Sequence, residues 1–471
     1  MSHKLSFYTV FTNPIDDKGS RVGFSTRTSR TMKVSAMCYD FMQNDLIEHI
    51  PGSVLDKLVE HKIVVDADED ELATIIHENQ HHIEGGSKED LYEVIQPTAF
   101  CQLGCYYCGQ QHTKTNLSDD LVDKVVERIV FKYNKGNYKG IYIGWFGGEP
   151  LVGLPQMRAI NKKLRLAFEG RDVPIAGKVV TNGLSLKENI FLELVGDFKI
   201  NQFEITLDGT ADFHDKHRYT KAGGESFDII YGNLTRILNR EDFRSFNCTF
   251  SIRCNVDEKN VDGVVPLIRK LAADGLHKKI GYLYFAAIYS WAGNDAHKKS
   301  LTKEEFSKLY LEWFVLKTQL GYHTTHQMPR RKLQTCIAVG GPSEMYDAYG
   351  NTFNCTEVSY TDFYDNTPYN LGNLKNDHLK EHIDKPLNAW NNDILDGTQQ
   401  PCHNCRMLPV CGGACPKSWK ENNTACPPFK YNIKKELELR YIMKRTEPAL
   451  LNEKLDEFVT ALDIDDFTRL Y

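Results

Sequence analysis

Long apolar runs are missing from these 471 residues. No stretch of 18 apolar residues offers a transmembrane helix, and the opening Met1-Ser2-His3-Lys4-Leu5 has no apolar segment of the kind a secretory signal needs. An excess of basic charge is missing too: 57 Lys and Arg stand against 63 Asp and Glu, a formal net charge of −6. No basic field is therefore available for a phosphate backbone, and no nucleic-acid partner is expected. Internal repeats and low-complexity linkers are also absent. The expectation is a cytoplasmic chain with no membrane partner, long enough for two or three domains around a large core. In such a reducing compartment 13 cysteines are not a disulfide framework, which leaves metal binding as the economical use for them.

The cysteines are patterned. Cys101, Cys105 and Cys108 form CxxxCxxC where the apolar run Leu91 to Ile95 gives way to a loop. Three thiolates suit a [4Fe–4S] cluster with one iron left open, whereas structural zinc closes on four ligands and a ferredoxin run supplies a fourth cysteine. A zinc site or a chance cluster is the bland alternative. The second group begins with Cys336, then thirteen residues, Gly350, four residues and Cys355. It continues with Cys402-His403-Asn404-Cys405, five residues, Cys411-Gly412-Gly413-Ala414-Cys415 and, after a gap, Cys426. A zinc module is the competing reading here as well, since four thiolates in a tetrahedron also suit zinc. Cys38, Cys248 and Cys254 have no ligand spacing and read as ordinary core thiols.

From residue 90 strand-like and helix-like segments alternate. The strand-like runs are 91–95, 141–146, 178–181, 202–207, 247–256 and 280–286. Amphipathic helical spacing occupies 118–132, 155–168, 186–195, 227–238 and 261–273, with Ser118 as an N-cap. This alternation calls for a parallel sheet, either doubly wound or a partial barrel, with ligands at the carboxyl ends of the strands. Short motifs fall at those ends: Gly147-Gly148-Glu149-Pro150 after the second strand, Thr181-Asn182-Gly183 after the third, and Thr206-Leu207-Asp208-Gly209 after the fourth, running on to His214, Asp215 and Arg218. The fifth carries Arg253 and Asn255. Glycines let backbone approach a ligand, an acceptor carboxylate or carbonyl suits an ammonium, and a guanidinium fork suits a carboxylate.

The CxxxCxxC spacing, with the aromatic Tyr107 just before its third cysteine, resembles the signature of the radical S-adenosylmethionine (SAM) superfamily. That resemblance implies a cluster on Cys101, Cys105 and Cys108 whose open iron chelates SAM and cleaves it to a 5′-deoxyadenosyl radical. It also implies a partial (β/α)6 barrel of the TIM type. Gly147, Gly148 and Glu149 resemble the GGEP element that holds the methionyl amine. Thr181, Asn182, Thr206 and Arg253 would line the SAM pocket, and Arg218 would pair with the SAM carboxylate.

The seven later cysteines match the SPASM pattern. This implies one closed auxiliary cluster on Cys402, Cys405, Cys411 and Cys426 and another on Cys336, Cys355 and Cys415, giving three [4Fe–4S] clusters in all. Some relatives have an eighth cysteine where this chain has Arg330, so the second auxiliary cluster has an open iron or a non-cysteine ligand such as His326. The expected organisation is an α/β chain: a small α+β module at 1–89 that resembles a winged-helix peptide-recognition element, the barrel at 90–330, SPASM at 331–440 and a helical segment at 441–471. In the module, 5–11 and 32–38 read as β-rich, while 53–61, 63–65 and the acidic 66–71 lead into a helix through Ile76.

The implied activity is modification of a peptide or protein, a ribosomal precursor with a leader by resemblance, through C–H hydrogen abstraction. The outcome is a thioether, C–C or ether cross-link or an oxidised side chain, with flavodoxin or ferredoxin as external electron donor. Formylglycine formation, as in sulfatase maturation, is the alternative. There an aspartate follows the cysteine corresponding to Cys355 and serves as base, whereas this chain has Thr356 and then Glu357. An electron-transfer protein without SAM chemistry is the alternative of another class.

Overall fold

The computed structural model describes all residues except 1, 86–89, 291–292, 324–327, 365, 383, 398–399 and 468–471. The boundary expected at 89/90 and the suggested ligand His326 lie outside the described residues.

The chain opens with β1 (His3–Leu5), β2 (Thr9–Phe11), β3 (Arg21–Ser25), β4 (Arg30–Val34) and β5 (Val64–Asp66). β2, β3 and β4 form an antiparallel sheet and β1 pairs with β5. Helices Ala36–Gln43, Gly52–Glu60 and Glu71–Glu84 complete this part. The run 32–38 is therefore not one β segment. Ser35 accepts a hydrogen bond from the Cys38 N–H and caps a helix, because a serine in extended conformation satisfies a free donor of the first turn. The run 5–11 is likewise split between β1 and β2, and β3 is an additional strand.

Six strands follow: β6 (Leu91–Ile95), β7 (Ile141–Trp145), β8 (Ile175–Thr181), β9 (Ile200–Thr206), β10 (Thr249–Val256) and β11 (Tyr282–Ala287). All pair in parallel with their sequence neighbours. Because their spatial order is their sequence order, every crossover moves the chain the same way and right-handed connections put the helices on one face. A doubly wound sheet would reverse direction, so a curved, singly wound sheet of the partial-barrel kind is what remains. Alternation along the strands sends Ile143, Val179, Phe203, Ile205, Ile252 and Phe285 into the core with Val125, Ile160, Leu234 and Leu267 of the helices. The opposite face is polar and only half-buried: Lys178 lies over the rings of Tyr92 and Phe146, and Arg253 faces Glu204. The lumen is thus not packed shut as it is in a closed eight-stranded barrel.

The sheet continues past its first strand. β12 (Met345–Tyr346) pairs in parallel with β6, and β13 (Asn351–Phe353) and β14 (Asn370–Asn373) add on antiparallel, so one sheet has nine strands. A buried ionic cluster fastens this extension. Arg128, on helix Asp119–Lys135, holds Glu344 through Nε at 2.8 Å and Nη2 at 3.0 Å and reaches the carbonyls of His378 and Lys380. Lys132 bridges Glu344 at 3.1 Å to Glu93 on β6, and the Tyr346 hydroxyl donates to Glu93 at 2.8 Å. Burial pushes the Glu344 carboxyl up, but Lys132, His382 and Arg128 together hold it well below the usual carboxylate range. Short helices follow, then the long helix Phe429–Arg445 and Leu451–Thr460. Among the described residues no helix is long and apolar enough to cross a membrane.

Removing one partner of a buried ion pair leaves the other charge uncompensated, at a cost of about 3–5 kcal/mol. Glu344→Ala strands Arg128 and Lys132. It should lower the apparent Tm by several degrees more than Glu312→Ala, whose pair with Lys308 is only half-buried; differential scanning calorimetry is the check.

Candidate active site

The loop between β6 and helix Asp119–Lys135 carries the first cysteine motif over the carboxyl ends of the strands. It is stitched down by backbone hydrogen bonds: Gly104 N–H to the Tyr219 carbonyl, Lys221 N–H to Gln102, and Glu149 N–H to Phe100. Gly148 must be a glycine for this, since a Cβ there would stand 2.6 Å from the Phe100 carbonyl oxygen. Gly147 has φ +116°, a conformation L side chains avoid, and abuts Gln96 and Thr98. The glycine pair therefore seats the cysteine loop itself.

Glu149 is fully buried and does not reach the cavity wall. Its carboxylate accepts from the Thr181 hydroxyl at 2.6 Å, the Asn182 N–H at 2.7 Å and the Leu151 N–H at 3.0 Å. Burial raises its pKa in spite of these donors. The side chain thus positions the turn after β8, and Asn182 in turn places its amide 3.6 Å from the Cys101 sulfur and 3.2 Å from the Gln102 side-chain oxygen.

Tyr107 is the hub of a second network. Its hydroxyl donates to Asp208 at 2.6 Å and accepts from Arg218 Nη1 at 2.6 Å and from the Asn255 amide at 3.0 Å. Asp208, which belongs to the motif after β9, also accepts the Asn255 N–H. Burial disfavours the charge of Arg218, but the surrounding Cys105, Tyr107 and Asp208 outweigh it and raise its pKa well above the ordinary value. The Arg218 Nε is buried without a hydrogen-bond partner, while the residue itself lines the adjoining cavity.

These elements enclose one cavity of about 580 Å³. Its wall includes Cys101, Cys105, Tyr107 and Cys108 from the loop, Gly147 and Gly148, Thr181 and Asn182, and Thr206, Arg218 and Arg253. It also includes Thr356, Glu357, Cys415 and Lys417, from more than 200 residues further along the chain than the cysteine loop. All the expected cofactor-contact side chains except Glu149 line it. His112 and Asn255 join them; burial lowers His112 to about 4 and Lys221 adds to this, so its ring is neutral at neutral pH. Asp208 could have been suspected from its motif, but no local pattern marks His112 or Lys417.

Burial pushes the Cys101 and Cys105 thiols up to about 11 and raises Cys108 as well. At neutral pH such thiols keep their protons unless a metal replaces them. They fit a metal cluster better than a free nucleophile.

The later cysteines fall into two electrostatically coupled groups. Cys402 is raised by burial and then by Cys411, Cys405 and Cys426. Cys355 is raised by burial and, among its neighbours, by Glu357, Cys415 and Cys336. Gly350, at φ +87°, turns the β12–β13 hairpin that ends at Cys355, with its N–H on the Asp347 carbonyl. Among the described residues no three His, Cys, Asp or Glu converge tightly enough for a single metal ion, as ligands about 2.3 Å from one zinc would have to. Cys38 and Cys254 are core residues, as expected, and Cys248 packs against the same core as Cys254.

Gly148→Ala should force the Phe100 backbone away and unseat Cys101, which is 6% exposed. In metal-free protein the variant should alkylate Cys101 with iodoacetamide at least several-fold faster than wild type, with Cys254 unchanged, as read by peptide mass spectrometry.

Residues 95–250 match the family model of the Radical SAM superfamily. An uncharacterised protein of Synechocystis is 30% identical over 137 residues, a match that spans 28% of this chain and 33% of that protein. The cysteine-type anaerobic sulfatase-maturating enzyme of Clostridium novyi is 22% identical over 400 residues, or 76% of this chain and 98% of that enzyme. Among solved structures, native anSMEcpe with bound AdoMet and the Cp18Cys peptide superposes with a TM-score of 0.55 at 18% identity, covering 78% of this chain and 99% of that one. The likeness of structure is one of fold. The chain carries a radical SAM domain and is homologous to the anaerobic sulfatase-maturating enzymes.

Proposed function

We propose that the protein is a radical SAM enzyme that modifies a peptide or protein substrate by removing hydrogen from one of its C–H bonds. The observation that carries this reading is the single cavity shared by the three motif cysteines, the ends of the barrel strands and the C-terminal Glu357 and Cys415. When bound, the [4Fe–4S] cluster and SAM supply a 5′-deoxyadenosyl radical by one-electron reductive cleavage. Cys101, Cys105 and Cys108 would hold the cluster. Thr181, Asn182, Thr206, Arg253 and Asn255 would line the SAM site, with Arg218 turned to its carboxylate. The Tyr107 hub keeps Arg218 oriented, and Glu149 keeps the Thr181–Asn182 turn in place without touching ligand. Burial of both networks excludes water from the reacting centre.

The residues after 330 would form a SPASM domain with two auxiliary [4Fe–4S] clusters, a closed one on Cys402, Cys405, Cys411 and Cys426 and a second on Cys336, Cys355 and Cys415. These would take up the electron left when a thioether, C–C or ether bond or an oxidised side chain is formed. A flavodoxin or ferredoxin in the cytoplasm would supply the reducing electron. Residues 1–89 would recognise a leader peptide. The exposed edge strand β4 supports this, since it is suited to pairing with an added strand.

The homology to sulfatase-maturating enzymes supports a second reading, oxidation of a substrate side chain with Glu357 as the proton acceptor. Glu357 is exposed, lines the cavity and acts electrostatically on Arg253.

After anaerobic reconstitution the protein should hold roughly twelve irons per chain, in three clusters. Cys105→Ala should lose about four of them and all 5′-deoxyadenosine formation, measured by iron assay and mass spectrometry. Stoichiometric zinc in place of the iron would refute the proposal. Glu357→Gln tests the second reading. A general base contributes about 10²–10⁴-fold, so the ratio of modified substrate to 5′-deoxyadenosine should fall by about that much, and an unchanged ratio would exclude Glu357 as the base.

A further inference from the structure

A second cavity, of about 630 Å³, lies beside the first and shares seven lining residues with it, Arg253, Tyr289, Cys415 and Lys417 among them. Part of its lining is apolar, made by Phe285, Phe306, Pro427 and Pro428. The lining also carries positive charge, from Arg253, Lys303 and Lys417, against the single carboxylate of Glu421. Lys417 is already paired with Glu421 at 3.0 Å, and Arg253 has Asn255 and, at 4.0 Å, Glu204. Lys303 is different. It opens helix Lys303–Gln319, and its half-buried ammonium rests 3.7 Å from the centre of the Tyr289 ring, with no carboxylate in ion-pair range among the described residues. A partly desolvated ammonium resting on a ring face, with the Cys426 sulfur as a further neighbour, has hydrogen-bonding capacity left for an anion. Apolar lining in the same cavity as that ammonium matches an organic carboxylate rather than a hydrated inorganic ion.

We infer that the second cavity binds a carboxylate of the peptide substrate, carried on or beside an apolar residue, with Lys303 as its partner. The inference rests on the peptide-modifying reading above and narrows it. The chain being modified runs from the first cavity into the second, and the enzyme selects substrates with a negative charge a short distance from the target residue. That charge comes either from the chain terminus or from an acidic side chain.

The test uses the reconstituted, SAM-bound holoenzyme under anaerobic conditions and ligand-observed NMR titration with three probes. N-acetylphenylalanine carries a terminal carboxylate, N-acetylphenylalaninamide carries none, and N-acetylphenylalanylglutamic acid α-amide carries one only on its side chain. Wild type should bind at least one of the two acids about tenfold or more tightly than the neutral amide, as expected for one charge-assisted hydrogen bond; whichever acid prevails identifies the source of the charge. Lys303→Gln should erase the preference and Lys303→Arg should keep it. Equal binding of acids and amide to wild type would overturn the inference, as would a preference that survives Lys303→Gln; Lys303 would then serve only the neighbouring Cys426 thiol. The wild-type comparison stands even if a variant misfolds. Formation of 5′-deoxyadenosine, followed in the same samples, separates the two levels: its absence with carboxylate preference intact removes the radical reading and leaves the binding site standing.

Discussion

The buried cluster of Arg128, Glu344, Lys132 and Glu93 is the interaction on which the rest of the architecture depends. An open parallel sheet has a free edge at its first strand, and unpaired N–H and C=O groups there are a liability. The chain covers that edge with its own later segment, β12, and the ionic cluster ties the segment to both β6 and the first barrel helix. Desolvating four charged groups is costly and is offset only when every partner is present. This makes the arrangement all-or-none: β12 either docks in register or leaves buried charges unmatched. Docking in register brings Glu357 and Cys415 over the barrel mouth and closes the cavity.

Around that cavity the polar side chains act in relays. Glu149 and Tyr107 each collect three hydrogen bonds and hold in place the turn or guanidinium that faces the open space. Such networks are rigid because a buried donor or acceptor left without a partner is expensive. The glycines play a similar part, admitting the Phe100 backbone so that the cysteine loop lies flat on the strand ends.

The N-terminal sheet and helices pack on the cysteine-rich segment. Tyr8, Ile75 and Ile76 share a core with Trp390, Ile394, Cys402 and Leu408, and Val10, Val22 and Phe24 share another with Cys405, Met407, Val410 and Ile433. Arg406 donates to the Thr9 carbonyl, and Thr26 donates to that of Arg406. Side chains that share a core with Cys402 and Cys405 thus belong to the first 80 residues. Among the described residues no strand pairs with the outer edge of β4.

The alternation of strands and helices from 91 to 273, the Ser118 cap and the three-cysteine loop were legible in the sequence because each depends on neighbours a few residues away: a period of two or 3.6, one hydroxyl at a helix start, a fixed cysteine spacing. The choice between a doubly wound sheet and a partial barrel was not, since periodicity carries no strand order. Nor was the depth of Glu149, whose carboxylate is taken up by a turn more than 30 residues away. The helix starting at Ala36 overrode β-like residues through one capping serine, and helix Lys303–Gln319 escaped notice because its apolar residues are not confined to one stripe. What only the tertiary structure decided is which distant side chains meet. Glu357, Cys415, Lys417 and Lys303 reach the barrel mouth because buried charges and a strand pairing across about 250 residues hold them there, and no local pattern encodes a contact of that range.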